Sequence, residues 1–126
     1  MQSQNKTMIF TDTHSHIYSE EFAQDRTEMM QRAFEAGVQR IFVPSIDSTY
    51  TEKMYEIERQ YPENVFLMIG LHPTYVKENY EEELAFVEQE LKKRKFYAIG
   101  EIGIDLFWDK TFLEQQKIAF KRQIQL

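Results

Sequence analysis

The residues with the clearest chemical potential open the chain: Asp12-Thr13-His14-Ser15-His16, led into by the apolar run Met8 to Phe10. Alternate side chains of an extended strand point the same way, so Asp12, His14 and His16 share one face at a strand's end. Two neutral imidazoles side by side with a carboxylate behind them are half of a divalent metal site. The same pair in an ordinary polar turn would carry no chemistry, so the motif needs partners further along. Glu101 is the most telling of these. It follows Tyr97-Ala98-Ile99-Gly100, a stretch expected to be buried on both faces of a parallel sheet. A carboxylate there must be protonated, paired with a lysine or arginine of another strand, or bound to a cation. Gly100 and Gly103 beside it suggest a bend or a close backbone approach.

His72 precedes Pro73, which holds the backbone extended and fixes the aim of the imidazole. It is placed to touch a substrate phosphate or a leaving group, or to serve as a hydrogen-bonded loop histidine. Asp105 is a candidate for orienting a ligating histidine, or for accepting from a loop amide as a turn cap. Ser45 and Asp47 stand before a helix and read as readily as caps. Phe107 and Trp108 offer a stacking surface for a base or packing at the rim. Together His14, His16 and Glu101 form a mixed nitrogen and oxygen site with open positions. A divalent ion in such a site activates water and polarises a phosphoryl or carbonyl oxygen, which makes hydrolysis the natural reaction class. The chain has neither G-x-G-x-x-G nor a Walker loop.

Four strand-helix units position these residues. Met8 to Thr13 reads as a buried first strand. A helix follows from about Asp25 to Ala36, with a capping-box pattern at Asp25 and Glu28 and a stop at Gly37. Arg40 to Val43 is the second strand. The next helix starts near Ser48 or Thr49 with Glu52 in the reciprocal capping position, and Pro62 ends it. Val65 to Leu71 forms the third strand. The helix after Asn79 carries Glu81, Glu82 and Glu83 in its first turn and Lys92, Lys93 and Arg94 in its last, an order that suits the helix dipole. Phe96 to Ile99 is the fourth strand. A last helix opens at about Thr111, with Glu114 as its capping partner, and continues to the end at Leu126. Units of roughly thirty residues are those of a (β/α)8 barrel, in which eight take about 250 residues. His14 and His16, Ser45 and Asp47, His72, then Glu101 and Asp105 all follow C-terminal strand ends, the face where such barrels carry their active sites.

The 126 residues are one domain's length, and 42% hydrophobic and 14% aromatic content supports a packed core over disorder. The absence of cysteine excludes disulfides and thiolate metal sites. No apolar run approaches a membrane span, and residues 1–7 read as a flexible polar tail without a signal-peptide pattern; a cytoplasmic protein is expected. A net charge of −6 argues against a broad nucleic-acid-coating surface. It leaves room for local capture of a strand, with bound divalent ions adding positive charge where phosphates sit.

D-T-H-S-H, then G-L-H-P, G-E-I-G-I-D and W-D-K-T-F-x-x-Q-Q-x-x-x-F, in that order and spacing, resemble the first half of the TatD family of metal-dependent deoxyribonucleases. The resemblance implies an α/β fold, a (β/α)4 half of a TIM-type (β/α)8 barrel of the metallo-dependent hydrolase type, over residues 8–126. It also implies one or two divalent metal ions (Mg, Mn or Zn) and a DNA substrate, single-stranded or at 3′ ends, cut at its phosphodiester bonds. On matching positions it assigns His14, His16 and Glu101 to the metal, with Glu101 bridging two ions, and places His72 and Asp105 beside the reaction. Family members add two histidines and an aspartate from the second half of the barrel, which these residues do not include. Four strands leave both sheet edges bare, so a C-terminal half or a second copy is the expected complement. The alternatives are an amidohydrolase, a PHP-type phosphoesterase, or a non-catalytic half-barrel serving binding or assembly. G-E-I-G-I-D argues against the first two, and the retained ligands against the third.

Overall fold

The computed structural model describes residues 8–126; the expected flexible tail, residues 1–7, lies outside them. Four parallel strands, β1 (Phe10–Asp12), β2 (Val38–Val43), β3 (Val65–Ile69) and β4 (Ala98–Ile99), stand side by side in chain order. Each is followed by a helix: α1 (Arg26–Glu35), α2 (Thr51–Gln60), α3 (Tyr80–Lys93) and α4 (Leu113–Ile124). This is the sequential parallel order of half a (β/α)8 barrel. Short 3-10 turns at Glu20–Phe22, Ser48–Tyr50 and Pro73–Tyr75 fill the loops after the first three strands.

The alternation along β3 explains how the sheet packs. Val65, Leu67 and Ile69 are buried while Phe66 and Met68 are half-buried. Val65 and Leu67 join Ile41 and Val43 of β2, Met30 of α1, and Met54 and Ile57 of α2 in one core between sheet and helices. Leu71, Val76, Leu84 and Ala119 form a second core under α3 and α4. On the opposite face Phe42 stacks on Phe66 at 5.3 Å, and Tyr97 meets Phe66 edge-on at 5.0 Å. That aromatic row lines the side of the sheet that carries no helix among the described residues.

The outer strands differ from the expectation of full burial. Met8, Ile9 and Phe10 are 68%, 57% and 47% exposed, and Tyr97 is 49% exposed. All four flank or lie in edge strands, which among the described residues lack a neighbouring strand on one side. The capping boxes also differ. Asp25 makes no side-chain cap and instead faces Arg32 at 3.5 Å. Tyr50 and Phe112, at the starts of α2 and α4, make none either. Turns just upstream use the donors first: Asp47 accepts from Thr49 N at 3.0 Å, and Asp109 from Thr111 N at 2.8 Å. Glu83 of α3 then takes Ser48 N and Oγ at 2.9 and 2.8 Å, tying the turn before α2 to the next unit. Gly37 ends α1 as expected, in a left-handed conformation with φ of 101°.

Helix α4 reaches back to the loops through two glutamines two turns apart. Gln123, fully buried, accepts from Leu71 N at 2.7 Å and donates to Leu71 O at 3.4 Å. Gln116 does the same for Asp105, accepting from its N at 2.8 Å and donating to its O at 3.0 Å. Replacing Gln123 with leucine keeps the volume but leaves the buried Leu71 N–H without an acceptor. We expect a loss of about 1–3 kcal/mol in unfolding free energy, measured by urea denaturation against the unaltered protein.

Candidate metal centre

The loops that follow β1, β3 and β4 carry the three histidines of the chain and Glu101. All three imidazoles converge on that one carboxylate. His14 Nε2 and His16 Nε2 each lie 3.1 Å from Glu101 Oε2, and His72 Nε2 lies 3.2 Å from Oε1. No lysine or arginine pairs with Glu101 among the described residues, so the structural ion pair considered from sequence is not what holds it.

Main-chain bonds past the strand ends place these groups. Ser15 N donates to Phe42 O at 3.1 Å, which carries the loop after β1 along the end of β2. Ser45 N donates to Gly100 O at 3.0 Å and Ser45 O accepts from Glu101 N at 3.1 Å, clamping the Gly100-Glu101 peptide from both sides. Gly70 permits this crossing: a Cβ on it would lie 2.9 Å from the Gly100 carbonyl carbon. His72 N donates to Ile46 O at 2.8 Å. Arg26, at the start of α1, holds the carbonyls of Ile17, Tyr18 and Ser19 at 2.9, 3.2 and 2.8 Å and fixes the turn after His16.

The donor set fits a divalent ion. One ligand atom from each of His14, His16 and Glu101 lies within 4.8 Å of the others. Atoms about 2.1 Å from a shared ion sit roughly 3–4 Å apart, so little movement separates this cluster from coordination. The hydrogen bonds around His16 sharpen the case. Tyr18 OH donates to Pro44 O at 2.7 Å, so its oxygen accepts from His16 Nδ1, 2.8 Å away. In the neutral ring the proton is therefore on Nδ1, and the Nε2 lone pair faces Glu101 Oε2. Two acceptors 3.1 Å apart repel unless a proton or a metal ion lies between them. Burial is the largest influence on His16 and holds its imidazole below the ordinary value, against the raising effect of Glu101. The neutral, ligand-competent ring is thereby favoured.

Tyr18 was not anticipated from sequence. It is fully buried, and burial pushes its phenol far above the ordinary tyrosine range, so it remains a neutral hydrogen-bonding group. Its position two residues after His16 continues the alternation of Asp12, His14 and His16, which was the available signal. Asp12 itself accepts from His14 N at 3.0 Å and so shapes the turn carrying the imidazoles.

The remaining candidates fall elsewhere. Asp105 accepts from Phe107 N at 3.0 Å, and its residue lines a small cavity with Thr74, Lys77, Trp108 and Phe112. It stands outside the three-ligand cluster. Ser45 is buried with its Oγ unpartnered, and contributes to the site through its main chain. Asp47 caps the Ser48–Tyr50 turn. Phe107 and Trp108 meet edge to face at 4.7 Å and are 81% and 79% exposed, so the rim packing considered for them is not present here.

Residues 11–126 match the family described as TatD related DNase. The chain is 35% identical to the metal-dependent hydrolase YabD of Bacillus subtilis (strain 168), covering 94% of this chain and 46% of YabD. It is 30% identical to the 3′-5′ ssDNA/RNA exonuclease TatD of Erwinia tasmaniensis, over 88% of this chain and 43% of that one. The crystal structure of YJJV, a TatD homolog from Escherichia coli K12, superposes with a TM-score of 0.82 at 32% identity, covering 92% of this chain and 45% of that one. The chain thus spans somewhat under half the length of these relatives. Among the described residues no helix is long and apolar enough to cross a membrane.

The phenol of Tyr18 sets the tautomer of His16 without touching the ligand atoms. Tyr18→Phe is expected to weaken Zn²⁺ binding about 10- to 100-fold, measured by calorimetric titration of the metal-depleted protein. Unchanged affinity would show that His16 is oriented by something else.

Proposed function

Because this chain belongs to the TatD-related DNase family over residues 11–126, we propose that it is the N-terminal half of a divalent-metal-dependent nuclease that hydrolyses DNA phosphodiester bonds from 3′ ends. The observation that carries the proposal is the convergence of His14, His16 and Glu101 at the C-terminal end of the parallel strands. The 3′-5′ ssDNA/RNA exonuclease name of the Erwinia tasmaniensis relative supports a single-stranded nucleic-acid substrate.

In this reading His14 and His16 supply neutral nitrogens and Glu101 supplies one oxygen and one negative charge. When bound, a divalent ion supplies Lewis acidity toward a phosphoryl oxygen and makes a water molecule acidic enough to attack near neutral pH. Two imidazoles and a carboxylate suit zinc or manganese better than magnesium, which prefers an all-oxygen sphere. Three protein ligands leave positions open for water and substrate. We assign the rest of the site, including the ligands a second ion would need, to a complementary barrel half, whether C-terminal sequence or a second copy. Asp105 stands outside the cluster of His14, His16 and Glu101; its part is to hold the loop after β4 through Phe107 N and Gln116. The net charge of −6 fits local capture of a strand end over wide electrostatic coating. A cytoplasmic setting is part of the same proposal.

The test supplies Mn²⁺ or Zn²⁺ to metal-depleted protein and compares 3′-labelled single-stranded DNA, a phosphomonoester and a cyclic amide. We expect stepwise loss of the 3′ label, abolished by Glu101→Gln and by chelation. Preferential turnover of the cyclic amide or the phosphomonoester would overturn the nuclease reading.

A further inference from the structure

His14, His16 and His72 all point Nε2 at Glu101, yet the hydrogen bonds behind the rings give His16 and His72 opposite characters. His72 caps the 3-10 turn Pro73–Tyr75. Pro73 has no N–H, so the first main-chain donor of that turn is Thr74 N, and it donates to His72 Nδ1 at 3.1 Å. Thr74 Oγ1 lies 2.8 Å from the same nitrogen. A backbone N–H can only donate, so Nδ1 of His72 is an acceptor and its neutral ring carries the proton on Nε2. That proton points at Glu101 Oε1, 3.2 Å away. His16 is the reverse: Nδ1 donates to Tyr18, and the bare Nε2 faces Oε2.

We propose that His72 is a positioning residue that donates Nε2–H to Oε1 of Glu101 and thereby presents Oε2 to the ion shared with His14 and His16. The proposal rests on the metal reading above and adds a division of labour between the two carboxylate oxygens. His72 is excluded as a ligand by its own tautomer: the nitrogen nearest the cluster carries hydrogen and the nitrogen with the lone pair is occupied by Thr74. It also restrains the Glu101 side chain from rotating, because Oε1 then has a directional donor. The sequence His72-Pro73-Thr74 is sufficient to build the device, since the proline removes the competing donor and the threonine supplies both groups that fix the ring.

Two measurements decide it. Long-range proton–nitrogen NMR on the metal-depleted protein reads each tautomer directly, with protonated Nε2 expected for His72 and protonated Nδ1 for His16. The same tautomer in both rings would overturn the assignment. Zn²⁺ titration of two variants reads the consequence. His72→Leu is expected to lose about 10- to 100-fold in affinity, whereas His72→Gln, whose amide keeps an N–H near the Nε2 position, recovers most of it. Equal losses in both variants, or none in either, would show that His72 only fills space. Failure of the unaltered protein to bind zinc would refute the metal reading of the site, while the tautomer measurement would still decide how Glu101 is held.

Discussion

Three imidazoles address one carboxylate, and their protonation patterns decide what the rest of the structure has to accommodate. Were all three to donate, Glu101 would be a satisfied structural anion. The hydrogen bonds behind the rings prevent that arrangement in the neutral state: Thr74 makes His72 a donor, and Tyr18 makes His16 an acceptor at the carboxylate. The Oε2 side of Glu101 therefore faces the His16 lone pair in a partly buried place, where such a mismatch is more costly than in water. A divalent cation would supply a positive charge there. The same arrangement orients the carboxylate before any ion arrives.

Because the site is sensitive to small displacements, its placement by main-chain bonds is informative. The strands are short, and the ladder continues irregularly beyond them, through Ser15 to Phe42, through Ser45 to Gly100 and Glu101, and through His72 to Ile46. Helices then fasten the loops from behind. Arg26 gathers three successive carbonyls after His16, and Gln116 and Gln123 of α4 each grip both backbone groups of one residue in the rim loops. Rigid elements thus hold the chemical groups at second hand, an arrangement that suits a pre-formed ligand set.

Much of this was legible because the chemistry falls at a regular place in a regular fold. Four apolar runs, each ending in His, Ser-Asp, His or Glu, point to the strand order and one common rim, and the sequence order places His14, His16 and Glu101, the three candidate ligands, along that rim. Tyr18, Arg26, Gln116 and Gln123 were not legible in the same way. Their roles depend on which backbone atom lies opposite after folding, and a tyrosine or glutamine has no pattern that declares it. The capping boxes misled for a related reason: the patterns are local, whereas Asp25 turns to Arg32 and the donors ahead of α2 and α4 are claimed by upstream turns or by Glu83 of another helix. Burial of β1 and β4 was overestimated because an apolar run reports what a strand is suited to, without saying whether its neighbour is present.

The order β1-β2-β3-β4 also makes the site a measure of sheet curvature. His14 and His16 follow one edge strand and Glu101 follows the other, with β2 and β3 between them. In a flat sheet three inter-strand spacings would separate those ends by roughly 14 Å. Instead His16 Nε2 and Glu101 Oε2 are 3.1 Å apart. Loops and side chains must therefore bend inward over the face without helices, as they do at the rim of a closed barrel. An ion holding both ends favours the curved state over any flatter one, since ligands fixed only after folding make binding energy part of folding energy. The exposed apolar groups at Met8, Ile9, Phe10 and Tyr97 lie along the same two edges. Curvature that brings the ligands together is thus also what presents both edges for the barrel to continue, so metal affinity and barrel closure are expected to reinforce each other.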